Sequence, residues 1–302
     1  MKRSTKWFLG IFLTLLAVGV GIMLLFFIAI LAPGEDEYMD VVWGRGDKVA
    51  IIELKGVITE SEKIVKQFKK YRKDNSIKAI LFRVDSPGGG VVASHEIYEE
   101  VKKTRDYGKP VIVSMGSVAA SGGYYVSCGA NIIVSNPGTL TGSIGVISQF
   151  LRLDPMFQKI GVEINIIKSG KYKDAGNPFR GMTKEDKKYF QDLMDDVHYQ
   201  FIDIVGKERR LEHQKIIEYA DGRVFTGEQA YKMKLVDTLG TFEDAVKIAA
   251  DVAGIKDEPA IVKEQKRKTF IERFLGEVKF QELFNLKEEI FNHPILQYKL
   301  TN

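Results

Sequence analysis

Apolar positions in this chain follow three rhythms. From Trp7 to Gly34 no charged residue occurs, and Phe, Leu, Ile, Val and Ala dominate. About 20 such residues span a bilayer, so this run predicts an anchor at 7–32. Short apolar runs come next: Lys48 to Ile58 (KVAIIELKGVI), Ile77 to Val84 (IKAILFRV) and Pro110 to Met115 (PVIVSM) predict buried strands. Asn131 to Ser135, Ile144 to Ile147 and Gly161 to Ile167 (GVEINII) predict further strands. Helical spacing fills the gaps. Ile64, Phe68 and Tyr71 form one face within Glu60 to Arg72, and Val91 to Thr104 is amphipathic. Thr183 to Leu211, Gln214 to Ala220, Thr226 to Met233 and Phe242 to Ala253 read as later helices. Strands alternating with helices predict βαβ units, and so an α/β core whose sheet is covered by helices.

The ends differ from this middle. Acidic residues in 33–46 predict a linker, and 47–255 should form one globular domain. Beyond it, 256–302 opens with the basic run Lys263 to Lys268. Phe270, Ile271, Phe274, Leu275 and Val278 then repeat at helical spacing. That predicts a helical segment packed on its own domain, on a neighbouring subunit or on a membrane surface.

Charge refines the picture in two places. Lys2, Arg3 and Lys6, in 1–6, precede the apolar run, which predicts a cytoplasmic N-terminus and a main domain across the membrane. Ala29 to Ala32 reads AILA, which lacks the small-residue pattern of a cleavage site. The net charge of +4 is too small and too scattered to argue for nucleic acid. Cys128 is the one cysteine and the four histidines are dispersed, so neither a zinc site nor an intrachain disulfide is expected.

Candidate chemistry centres on Met115 to Ala130 (MGSVAASGGYYVSCGA), where Ser121 is flanked by small residues after a predicted strand. A serine at a strand-to-helix turn lies near free helix N–H groups, which favour developing negative charge. Gly88 to Gly90 also follows a strand and precedes a helix. A backbone N–H of Gly88, with that of Gly122, could bind the oxyanion of a tetrahedral intermediate. No histidine stands out as a base: His95 follows the glycines, and His198 and His213 carry only ordinary surface acids as neighbours. Strict G-x-S-x-G is absent, since Ala119 stands where the first glycine belongs. A distant lysine is the remaining option, with Lys171 and Lys173 in a glycine-containing loop.

DSPGGG (Asp85 to Gly90), SVAASGGYY (Ser117 to Tyr125), TGSIGV (Thr141 to Val146), SGKYKDAG (Ser169 to Gly176) and DGRVFTGEQAYKMKLVD (Asp221 to Asp237) occur in that order. Together they resemble the signal peptide peptidase A (protease IV) family, over roughly Val49 to Gly254, in its short form with one catalytic repeat. The resemblance implies a fold similar to Clp protease and crotonases, and a serine endopeptidase in 47–255 without cofactor or metal. It implies Ser121 as nucleophile, Lys173 as general base, Ser143 as the hydroxyl that helps position the lysine, and Gly88 and Gly122 as oxyanion donors. It further implies ring-shaped homo-oligomers in which the dyad is assembled between protomers, and signal-peptide remnants or other membrane-derived peptides as substrates. A crotonase-like acyl-CoA enzyme and a non-catalytic membrane scaffold are the competing readings. The anchor and the Ser121 and Lys173 motifs weigh against both.

Overall fold

The computed structural model describes residues 3–31, 37–266 and 297–299. The chain divides into two compact units, one of Met1–Asp40 and Glu264–Phe291, the other of Val41–Lys263 and Asn292–Asn302. The first unit holds helix α1 (Arg3–Leu31). Side chains of α1 are described at Trp7 and from Gly10 to Leu24, a stretch too short by itself to cross a bilayer. Among the described residues no helix is long and apolar enough to cross a membrane. Strand β1 (Glu37–Trp43) forms where a linker was expected.

The second unit carries the expected α/β core. In chain order its elements begin with β2 (Lys48–Lys55), α2 (Glu62–Lys73), β3 (Ile77–Ser86), β4 (Gly88–Gly90), α3 (Val91–Asp106), β5 (Val111–Ala120) and α4 (Gly122–Ser127). Then come β6 (Ile132–Ser135), β7 (Leu140–Gly142), α5 (Asp154–Lys159), α6 (Lys184–Arg209) and α7 (His213–Tyr219). The last are β8 (Val224–Thr226), α8 (Gly227–Lys232), β9 (Thr238–Leu239), α9 (Phe242–Val252), β10 (Ala260–Lys266) and β11 (Gln297–Lys299). The main sheet runs β10-β2-β3-β5-β6-β9 with every pair parallel.

Parallel strands need cover on both faces, which is why β2, β3 and β5 are almost uniformly apolar. On one face Ala245, Ala249 and Ala250 of α9 pack against Val49, Ile51, Leu81 and Ile112. Alanines on that helix let its backbone sit close to the sheet. On the other face α2 delivers Phe68 edge-on to Phe82, with ring centroids 5.1 Å apart. Burying each such ring is worth about 1.5–3 kcal/mol. Helix starts are fixed by reciprocal caps: Thr183 with Asp186, Thr226 with Gln229 and Thr241 with Asp244.

Several elements differ from the sequence pattern. Strand β2 stops at Lys55, because Gly56 turns the chain at φ 72°. Gly88 to Gly90, expected to be a loop, is itself a strand. Ile144 to Ile147 and Gly161 to Ile167 form no strand. The second run lies exposed, with Ile167 fully so; an apolar run becomes a strand only where a neighbouring strand accepts its backbone. Conversely, β7, β8 and β9 are too short to show a period, and β10 and β11 fall in the segment expected to be helical. The apolar spacing from Phe270 to Val278 lies outside the described residues.

Candidate active site

Strand β5 runs to Ala120, and at Ser121 the chain turns sharply into α4 with φ 54° and ψ −118°. That conformation is normal for glycine and strained for serine. The turn is held from both sides: Ser121 N–H donates to the Gly142 carbonyl at 2.7 Å, and the Ser121 carbonyl accepts from Tyr125 N–H at 2.8 Å. Ser121 is buried, and its Oγ has no hydrogen-bond partner. Gly122 opens α4, so its N–H belongs to the first turn, where donors lack an intrahelical acceptor.

Glycine Gly123 explains how the two glycine clusters meet. A Cβ there would lie 2.6 Å from the Ser86 carbonyl oxygen, so only glycine lets α4 press against the end of β3. Two residues on, Gly88 takes φ 98°. Its N–H donates to Ser86 Oγ at 3.1 Å. One edge of β4 is tied to Ile58: Gly90 N–H donates to the Ile58 carbonyl at 2.7 Å, and Ile58 N–H to the Gly88 carbonyl at 2.9 Å. Along β4 runs β11, antiparallel, with Gln297 opposite Gly90, Tyr298 opposite Gly89 and Lys299 opposite Gly88. An extended segment therefore fits beside the glycine strand, as a third strand.

Ser143 follows β7 and is buried with φ 50°, its N–H donating to the Arg223 carbonyl at 2.9 Å. Lys173 stands elsewhere. It is exposed, in a run of turns before α6, and no hydrogen bond joins it to Ser121. Its loop is firmly held. Asp174 is gripped by Arg180 (2.7 and 3.0 Å) and by Lys168 (2.5 Å), and Arg180 also reaches Asp186 at 2.5 Å. The Arg180 hydrogen bonds and then Lys168 hold the Asp174 carboxyl far below its ordinary range. Arg180, helped by the Thr183 N–H, brings Asp186 down to about 2. Lys171 pairs with Glu185 at 3.0 Å, and that hydrogen bond raises its pKa, which makes it a poorer base.

The histidines are placed as follows. His95 Nδ1 meets the Tyr125 hydroxyl at 2.9 Å, in an aromatic cluster with Tyr98. His213 lies 3.7 Å from Asp203 on the surface. His198 Nε2 is buried with no partner, on the α6 side of a cavity of about 400 Å3 that Ser143 also lines. Nothing in the sequence marks His198, because the segments around that cavity are far apart in the chain. Cys128 is buried, and burial pushes its thiol up to about 12, so it is no nucleophile.

This arrangement puts a strained serine, a helix N-terminus and a glycine strand at one end of a parallel sheet. Comparison with known proteins gives the family directly. The model of peptidase family S49 matches residues 103–256, and that of Clp protease matches residues 34–136. A protein of Enterococcus faecium, provisionally named signal peptide peptidase SppA, is 30% identical over 86% of this chain and 87% of its own length. The chain belongs to peptidase family S49. It is a serine peptidase with a mixed α/β fold that contains a Clp protease-like domain. Other S49-like relatives vary in length. A protein of Synechocystis sp. provisionally named a protease is 44% identical over 69% of this chain and 75% of its own length. Serine protease SPPA, chloroplastic, of Arabidopsis thaliana is 35% identical over 70% of this chain but only 33% of its own length. Against that longer relative the S49 chain here spans about a third.

Proposed function

We propose that this S49 peptidase is a membrane-anchored endopeptidase. In this reading Ser121 is the nucleophile, Lys173 the general base, Ser143 the positioning hydroxyl, and Gly88 and Gly122 the oxyanion donors. Substrates are signal-peptide remnants and other membrane-derived peptides. The observation that carries it is the Ser121 turn: a buried hydroxyl without a partner, on a backbone strained toward α4. Strain and an unpaired buried donor persist where function requires them. Since Lys173 is exposed and makes no bond to Ser121, a lysine from a second copy completes the dyad, in a closed ring. The exposed apolar run Val162, Ile164, Ile166 and Ile167 supports such packing between copies. Peptide enters extended, taking the place beside β4 that β11 now fills.

The anchor rests on sequence. Trp7 to Leu31 has no charge, and at about 1.5 Å per residue a helix of that length exceeds a ~30 Å hydrocarbon layer. Lys2, Arg3 and Lys6 then put the N-terminus inside and the catalytic unit outside.

Fluorophosphonate labelling tests the nucleophile. Wild type should label and Ser121→Ala should not. Mixing Ser121→Ala chains with Lys173→Ala chains tests the shared dyad: partial recovery of peptide cleavage supports it, and absence of recovery in verified mixed oligomers refutes it.

A further inference from the structure

The cavity of about 400 Å3 beside Ser143 has no role in the scheme above. One wall is the chain from Ser143 to Ile147, held by the Ser143 N–H on the Arg223 carbonyl (2.9 Å) and the Gly222 N–H on the Ile144 carbonyl (3.1 Å). The opposite wall is α6, with Met194 and His198. The cavity adjoins the nucleophile: Ser121 N–H is bonded to the carbonyl of Gly142, the residue before Ser143. Its size suits one side chain of a bound peptide.

Its polar groups are not equivalent. Asp221 is committed to Arg223, and Asp195 accepts from Gln191 at 2.7 Å. His198 Nε2 alone is buried and unpaired among them. An unpaired buried nitrogen is costly, and a substrate that pairs it recovers that cost. An imidazole nitrogen can donate or accept, so it suits a neutral hydroxyl or carboxamide.

We infer that this cavity receives the substrate side chain next to the scissile bond, and that His198 selects a neutral hydrogen-bonding group on it. The inference rests on the peptidase reading of Ser121. A site built to bond a polar group discriminates strongly against an apolar analogue of the same size. Glutamine and leucine form such a pair.

The test uses the full chain in detergent and two peptides that differ only in Gln or Leu at that position, with a Lys peptide alongside. Wild type should cleave the Gln peptide with kcat/KM about tenfold above the Leu peptide. His198→Phe should bring that ratio to about one or below, while fluorophosphonate labelling of Ser121 keeps its wild-type rate. A wild-type ratio of one or less, a ratio unchanged in His198→Phe, or a preference for Lys drawn by Asp195 would each overturn the assignment. If His198→Phe fails to fold, Met194→Ala serves: it deepens the cavity and should admit larger side chains, and an unchanged size preference would overturn the inference. Failure of the peptidase reading is separate, since a chain that neither labels at Ser121 nor cleaves any peptide sinks both.

Discussion

Replacing Ser121 by glycine and by alanine gives two inactive chains whose difference in stability isolates the strain at the turn. Neither carries the hydroxyl, so whatever a lysine does to Oγ drops out. Values of φ 54° and ψ −118° are where type II′ turns place glycine, which puts the cost of a Cβ near the upper end of ordinary backbone strain, about 3 kcal/mol. Against it stand glycine's extra freedom in the unfolded chain, about 0.7 kcal/mol, and one buried methyl group, about 0.8 kcal/mol. The balance favours Ser121→Gly over Ser121→Ala by about 1.5 kcal/mol, a rise in Tm of roughly 3–6 °C for a domain of this size. Calorimetry or urea unfolding of both variants in the same detergent measures it. The sign is diagnostic, because at an unstrained position glycine is the less stable of the two. If Ser121→Gly melts below Ser121→Ala, the turn is not strained and the argument for a functional serine loses its main support.

The other predictions address the base, the glycine strand and acid stability. Lys173→Arg should lower kcat by roughly 10²–10⁴-fold, because arginine stays protonated, while Lys171→Ala, which breaks only the exposed pair with Glu185, should cleave peptides near the wild-type rate; the reverse pattern would assign the base to Lys171. Gly89→Ala would set a Cβ 2.1 Å from the Ile58 carbonyl oxygen, so β4 must move. About 1–3 kcal/mol of stability should be lost with most of the activity, and normal turnover in a folded variant would remove β4 from the site. Asp186 has its carboxyl lowered from the ordinary 3.8 to about 2, so its bonds to Arg180 and Thr183 stabilise the fold above pH ~4, and that stability fades as pH falls toward 2. Asp186→Asn should flatten the acid limb of unfolding followed by circular dichroism, and an unchanged limb would refute the clamp.

What could be read in advance follows from how local each signal is. Thr183 and Thr226 marked their helices because a cap and its partner lie three residues apart. Strands β3 and β5 were visible because burial on both faces leaves an unbroken apolar run. Ser121 and the two glycine clusters were visible as composition, but their meeting depends on Gly123 against Ser86, a contact between elements. Pairings set by distant partners were not visible. Strand β4 is three glycines, defined only by Ile58 on one edge and β11 on the other. The apolar run at Gly161 to Ile167 carried a strand signal and found no partner strand, while the basic run at Lys263 hid β10, whose Lys263 is neutralised by Glu53 at 2.5 Å. His198 was unreadable for the same reason: its significance lies in a cavity walled by three separated segments.

The pairing of β10 with β2 bears on how the protein is made. Ala260 lies opposite Lys48 and Lys263 opposite Ile51, partners roughly 200 residues apart in the chain. Until the chain is emerging almost to its end, β2 has an open edge of N–H and C=O groups on an apolar strand, the kind of edge that pairs with the wrong neighbour. Contacts of such long sequence separation also close slowly. A newly made chain therefore passes through a long interval in which a peptidase lacks its last core strand. Premature termination before residue 260 should yield aggregates in place of a smaller working enzyme.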